Sequence, residues 1–239
     1  MVALTLADGL DPAKLAAIFS RAGRLQIAGF LGGSGAPDLL RELSRSREWM
    51  LTLNKGEQVH DYREAAFAAL APADRAQLSR EVMEGARKGF QFCYDTIRLP
   101  RRGEPRPPGA LAELERFLCS PDMLAFFRTV TGAADIAFAD AHASRYQPGH
   151  FLTAHDDRIE GQGRRAAYVL NLTPDWRAEW GGMLLFHERD GSVSRGFMPL
   201  FNALSIFTVP QPHSVSYVTP IAPHPRYAVT GWLRAEESA

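Results

Sequence analysis

Cysteine is nearly missing from this chain of 239 residues. Only Cys93 and Cys119 occur, with no Cys-x-x-Cys pair. That excludes a disulfide framework and a thiolate-built zinc site, and it fits two free thiols in a reducing compartment. Net charge is missing too, since 27 basic residues balance 27 acidic ones. A nucleic-acid surface needs a basic excess and a solvating arm needs an acidic run, so neither kind of partner is expected. No apolar run is long enough to span a bilayer, and the N-terminus lacks the basic-then-apolar opening of a secretory signal. The expected compartment is the cytoplasm, with no membrane partner. Gly32-Gly33-Ser34-Gly35 lacks the Lys-Ser/Thr that completes a phosphate cradle. There is no internal repeat.

What is present falls into two halves. In residues 1–134, Asp11-Pro12 reads as an N-cap followed by a first-turn proline, with Leu15, Ile18 and Phe19 as the helix's apolar stripe and Gly23 as its stop. A short strand follows at Leu25–Phe30. A second helix is expected from Pro37 to about Trp49, a strand at Met50–Leu53, and a third helix over Pro72–Lys88 with Leu78, Val82 and Met83 inward. Phe90–Asp95 reads as a strand. Arg98–Pro108 is basic and proline-rich, and its composition allows either a solvated connector or a flap over a cleft. Two short helices are expected around Ala110–Phe117 and Pro121–Val130.

From Asp135 the pattern changes to short β-like runs: Ile136–Arg145, Ala166–Leu172, Met183–Phe186, Ser192–Met198, Ala203–Thr208, Ser214–Val218 and Tyr227–Leu233, with Asp190-Gly191 as a hairpin turn. Helices followed by many short strands predict an antiparallel sandwich or barrel with helices packed on one side. No second domain boundary appears. The expected layout is one domain over 1–239, its N-terminal part a helical support with leading strands and 135–234 its β core.

The chemistry concentrates in Arg145–Asp157. His155 and Asp157 form a His-x-Asp, and in an extended strand residues two apart share a face, so an imidazole and a carboxylate are expected side by side. By the same alternation Asp156 points away. A third ligand must come from elsewhere, and His213 is the best candidate. Two histidines and one carboxylate with open positions opposite form the ligand set of non-haem Fe(II) oxygenases. His142, His150, His187 and His224 stand outside this pattern. Asn171, polar in the middle of a strand, either faces the pocket or is a satisfied core amide.

With Arg226 added, the sequence resembles the 2-oxoglutarate and Fe(II)-dependent dioxygenases of the prolyl-hydroxylase type. The residues that carry the resemblance are Tyr146, Gly149, Leu152, His155 and Asp157, then Gly181-Gly182-Met183-Leu184-Leu185-Phe186, His213, and Arg226 before Gly231-Trp232. Within that type it is most similar to the ribosomal-protein and hypoxia-type prolyl hydroxylases and their bacterial relatives. The resemblance covers about residues 135–234 and implies a mainly β fold, a double-stranded β-helix (jelly roll), braced by the N-terminal helices. It implies His155, Asp157 and His213 on Fe(II), with Arg226, Tyr146 and Leu152 around 2-oxoglutarate. The far carboxylate of that co-substrate suits a guanidinium, which binds carboxylates bidentately. O₂ is the other co-substrate, and ascorbate is an added cofactor. The implied reaction is hydroxylation of a C–H bond, on a prolyl residue of a protein or peptide partner, with release of succinate and CO₂. Two other readings stand beside it: a hydroxylase of free proline or another small molecule, and a catalytically silent jelly-roll interaction module. One departure is Ala228, where many relatives carry a serine that also touches 2-oxoglutarate.

Overall fold

A computed structural model of the protein describes residues 4–99 and 108–236. Helix α1 (Pro12–Ala22) begins where Asp11 accepts hydrogen bonds from the Ala13 and Lys14 amides and ends at left-handed Gly23. Strand β1 (Arg24–Ala28) and helix α2 (Gly35–Arg45) follow. Next come β2 (Met50–Lys55), β3 (Gln58–Arg63), α3 (Glu64–Ala69), α4 (Pro72–Lys88) and β4 (Phe92–Arg98). Helices α5 (Ala110–Leu118) and α6 (Pro121–Thr131) close the first half, α6 ending at left-handed Gly132. The second half holds β5 (Ile136–Ala139), β6 (His142–Tyr146), β7 (Phe151–His155), β8 (Arg164–Asn171), β9 (Leu184–His187), β10 (Val193–Phe197), β11 (Ala203–Thr208), β12 (His213–Val215) and β13 (Arg226–Ala235).

The strands pair antiparallel in the order β1-β11-β8-β13-β6-β4-β7-β12-β9-β10, with β2 and β3 added beside β4 and β5 beside β13. The sheet curls into the expected jelly roll. Its end strands approach each other, and Arg24 on β1 donates to the Ser194 hydroxyl on β10 at 3.0 Å. No helix among the described residues is long and apolar enough to cross a membrane.

The central strands are covered on both sides, which explains their nearly unbroken apolar sequence. On β8, Ala166, Tyr168 and Leu170 pack into the core shared with the helices, where Phe30, Leu39, Leu114 and Phe127 are fully buried. The alternate residues Ala167 and Val169 face the barrel interior with Leu184, Phe186 and Phe207. A third cluster joins α4 to β2 through Leu51, Leu53, Leu78 and Val82.

Several expectations are corrected. Ile18 and Met83 are exposed rather than inward. Each lies one 100° helical step from the second residue of a properly spaced pair, Ile18 just before Phe19 (paired with Leu15) and Met83 just after Val82 (paired with Leu78), so it turns toward solvent. Helix α2 stops at Arg45, short of Trp49, which leaves the helix and donates its indole N–H to the Leu43 carbonyl. Ile136–Arg145 is two strands, and β3 and α3 lie where the sequence suggested neither. Residues 100–107 of the Arg98–Pro108 segment lie outside the described residues. Arg98 itself ends β4, with its guanidinium 2.6 Å from Asp61.

Candidate active site

β7 and β12 are neighbours in the sheet, and their register sets His213 directly opposite His155. Their rings lie 4.2 Å apart. Asp157 joins them, with Oδ1 3.3 Å from His155 Nε2 and Oδ2 3.5 Å from His213 Nε2. All three donor atoms fall within 4.8 Å of one another. The route by which Asp157 arrives differs from the expected alternation along a strand. β7 ends at His155, and Asp157 has φ +63°, a left-handed conformation that a residue with a Cβ rarely adopts. The turn, rather than strand periodicity, brings its carboxylate back to the imidazoles.

The histidines are prepared as ligands. His155 Nδ1 lies 3.0 Å from the Thr153 carbonyl and His213 Nδ1 lies 2.7 Å from that of Gln211. A carbonyl only accepts, so each Nδ1 carries the proton and each Nε2 offers a lone pair. Burial first, and then the neighbouring His155, push His213 down to about 4 and keep it neutral at physiological pH.

The triad lies in a cavity of about 520 Å³, also lined by Tyr146, Leu152, Val169, Arg226 and Trp232. Arg226 is only 2 % exposed. Its Nη2 donates to Asn171 Oδ1 at 3.0 Å, and its carbon lies 5.1 Å over the Tyr146 ring. Its Nε and Nη1 have no hydrogen-bond partner among the described residues. A buried guanidinium with two idle donors is costly unless an anion meets it, so the group fits a carboxylate ligand. Tyr146 lies face-down under Arg226 and stacks on Tyr94 at 4.9 Å. Burial raises its phenol well above the usual range, so it stays protonated as a possible donor. Leu152 is an apolar wall paired with Val215 across β7 and β12. The Gly-Gly before β9 has a steric reason. A Cβ on Gly181 would stand 1.9 Å from the Tyr217 carbonyl, and one on Gly182 would press on Arg226 Cδ at 3.3 Å.

Three other arginines, Arg145, Arg164 and Arg165, are engaged elsewhere. Arg145 pairs with buried Asp95 at 2.7 Å, and Arg165 grips Asp135 on the outside. Arg164 lies beside Asp157 at the triad end. Three histidines outside the pattern are also occupied away from the triad: His150 by the Gln147 amide, His187 by the Ser214 hydroxyl, and His224 between Trp176 and Trp180. His142 was passed over but lines the cavity; burial pushes it down to about 4. Asn171 is a satisfied core amide behind the cavity wall: its Nδ2 donates to the Ala203 carbonyl at 3.3 Å and its Oδ1 accepts from Arg226, whose guanidinium it orients. Nothing local in the sequence reveals that pairing, because its partner is on another strand.

A jelly roll that gathers two imidazoles and a carboxylate in the same cavity as a buried guanidinium offers the donors of a divalent-metal site together with a place for a carboxylate. Residues 141–234, which carry the triad, Tyr146 and Arg226, match the family model of the 2OG-Fe(II) oxygenase superfamily. The chain is 29 % identical over 125 residues to prolyl 3-hydroxylase OGFOD1 of Mus musculus, covering 49 % of this chain and 22 % of the mouse protein. It thus spans about a fifth of the length of that curated relative. In structure it resembles a Pseudomonas putida prolyl-4-hydroxylase, with TM-score 0.61, 20 % identity, and 95 % of this chain and 100 % of that one covered. It also resembles a Trichoplax adhaerens prolyl hydroxylase solved with a hypoxia inducible factor peptide fragment, with TM-score 0.56, 18 % identity, and 94 % and 89 % covered. At these identities the structural likeness is one of fold.

Proposed function

We propose that the chain is an Fe(II)- and 2-oxoglutarate-dependent dioxygenase that hydroxylates a C–H bond, with a prolyl residue of a protein as substrate and succinate and CO₂ as co-products. The observation that carries this reading is Arg226: a buried cation with two unpartnered donors, in the same cavity as three converging metal donors. His155 Nε2, a carboxylate oxygen of Asp157 and His213 Nε2 would hold the iron. The bound iron and 2-oxoglutarate would together activate O₂ for insertion into the C–H bond.

The chain's own residues bind and orient. Arg226, held by Asn171, would take the far carboxylate, and the neutral Tyr146 phenol is placed to donate to it. Val169, Leu184, Phe207 and Val215 keep the cavity wall apolar, and the methyl of Ala228 leaves Arg226 and Tyr146 to do the binding. Exclusion of bulk water there strengthens each charge-assisted contact.

The mouth of the cavity favours a polypeptide over free proline. Val59, Phe90 and Ile159, 54 %, 51 % and 49 % exposed, line it. Exposed apolar side chains around a site suit the flanking residues of a chain. The prolyl hydroxylase names of the relatives support the same substrate class. A cytoplasmic location and a single domain, with the helices bracing the barrel through their common core, belong to this proposal.

The test is turnover of 2-oxoglutarate by purified protein with Fe(II), O₂ and ascorbate, with and without proline-containing peptides from a cell extract. The expected result is succinate formation, stimulated by peptide, with a gain of one oxygen on a prolyl residue by mass spectrometry. Stimulation by free proline but by no peptide would select the small-molecule reading. No succinate under any condition would leave the silent-module reading.

A further inference from the structure

The three triad residues are not held alike. His155 and His213 stand opposite each other in the β7–β12 ladder, and a backbone carbonyl fixes each ring. Asp157 lies two residues beyond the end of β7, in a left-handed conformation that a side-chain-bearing residue leaves when nothing enforces it. Arg164 enforces it. Its Nη1 donates to the Asp157 carbonyl at 3.0 Å and lies 3.8 Å from Asp157 Oδ1. Arg164 itself is well fixed. It opens β8, pairs in register with Arg234 on β13, and lays its guanidinium 3.6 Å over the Trp232 ring. The intervening loop is tied down where the Ala235 amide donates to the Gly163 carbonyl at 2.9 Å.

We propose that Arg164 is the positioning residue of the metal centre: it grips the Asp157 carbonyl from the rigid β8–β13 pair and so holds the turn that aims the Asp157 carboxylate at the two imidazoles. This rests on the metal-centre reading above. Two effects compete at this position. A cation near a bound metal repels it, while a fixed carboxylate binds it better. The hydrogen bond is to the carbonyl and the carboxylate stands farther off, so orientation outweighs repulsion.

The test is Ni(II) binding to the full chain by calorimetry, because Ni(II) binds imidazole sites tightly enough to measure weakened variants. Wild type should bind one ion. Arg164→Met should raise the dissociation constant about 10- to 100-fold, the usual effect of losing a group that orients a ligand. Arg164→Lys, which keeps a donor of similar reach, should recover most of that loss. In an Asp157→Ala background, Arg164→Met should add less than about twofold, because coupled residues are not additive. Unchanged or tighter Ni(II) binding by Arg164→Met overturns the inference. So does a full-sized loss that persists without Asp157, which would make Arg164 a general structural residue. Should the Met variant not fold, Arg164→Gln, too short to reach the carbonyl, is read in the same way. Failure of wild type to bind Ni(II) overturns the metal-centre reading itself.

Discussion

At one end of the cavity, His155, Asp157 and His213 stand at the tips of short strands and on a turn; at the other, Arg226 and Asn171 sit in the two longest strands, β13 and β8. The metal end uses two imidazoles and one carboxylate, whose lone pairs an ion would satisfy. The inner end buries a full charge that, among the described residues, meets one amide oxygen. The metal donors are held by local backbone contacts, the Thr153 and Gln211 carbonyls on the two imidazoles and Arg164 on the Asp157 carbonyl. A buried cation must be preformed by the ladder, because nothing would otherwise keep it out of water. Variants at the two ends should therefore fail in different ways.

The largest effect is expected at the metal end. His155→Ala should lose stoichiometric metal and turnover together, while the melting temperature of the metal-free protein changes little, since His155 is only partly buried. Metal content by elemental analysis, beside a thermal melt, checks this. A variant that keeps wild-type metal content would break the comparison at its root.

At the inner end, Arg226→Ala should keep its metal but raise the KM for 2-oxoglutarate. Removing one partner of a buried charge pair costs about 2–5 kcal/mol, and at about 1.4 kcal/mol per tenfold that is roughly 30-fold or more. Asn171→Leu removes the one hydrogen-bond acceptor that the Arg226 guanidinium has among the described residues. A hydrogen bond to a charged group contributes about 1.5–3 kcal/mol, and with Tyr146 and the ligand still in place the lower end applies, so the same KM should rise about tenfold with metal affinity unchanged. Steady-state kinetics resolve both. An Asn171→Leu effect larger than that of Arg226→Ala would show that Asn171 binds ligand directly.

The smallest effect concerns pH. Burial pushes His142 and His213 down to about 4 in the folded protein, from an ordinary value near 6.5. Between these values the unfolded chain binds more protons than the folded one, so stability falls as pH drops from about 6.5 toward 4. His142→Phe should flatten that fall in the metal-free protein, read as melting temperature against pH. A profile as steep as that of wild type would mean that His142 protonates freely when folded.

The sequence disclosed the two ends unequally. His155, Asp157, His213 and Arg226 were legible because each belongs to a short spaced motif, and the strand series after Asp135 was legible because turn residues punctuate it. The Asp157 carboxylate points where expected, toward the imidazoles, but by a different route. Periodicity assumes the strand continues, and the left-handed turn after His155 has no glycine to announce it. Arg164 beside Asp157 and Trp232, and Asn171 beside Arg226, were hidden because the contacts cross between strands and depend on register. In the helical half, Ile18 and Met83 show the same limit: apolar identity marks a residue as able to be buried, and the angular position on the helix decides whether it is.

The most direct test of this two-ended cavity is an anaerobic titration of Fe(II)-loaded protein with 2-oxoglutarate, following the visible charge-transfer band that a 2-oxo acid produces when it chelates Fe(II). Wild type should develop the band and saturate. His155→Ala should show none, and Arg226→Ala should reach the same band only at roughly 30-fold or more higher 2-oxoglutarate. Saturation of Arg226→Ala at the wild-type concentration would contradict the account, because it would place the co-substrate carboxylate somewhere other than on Arg226.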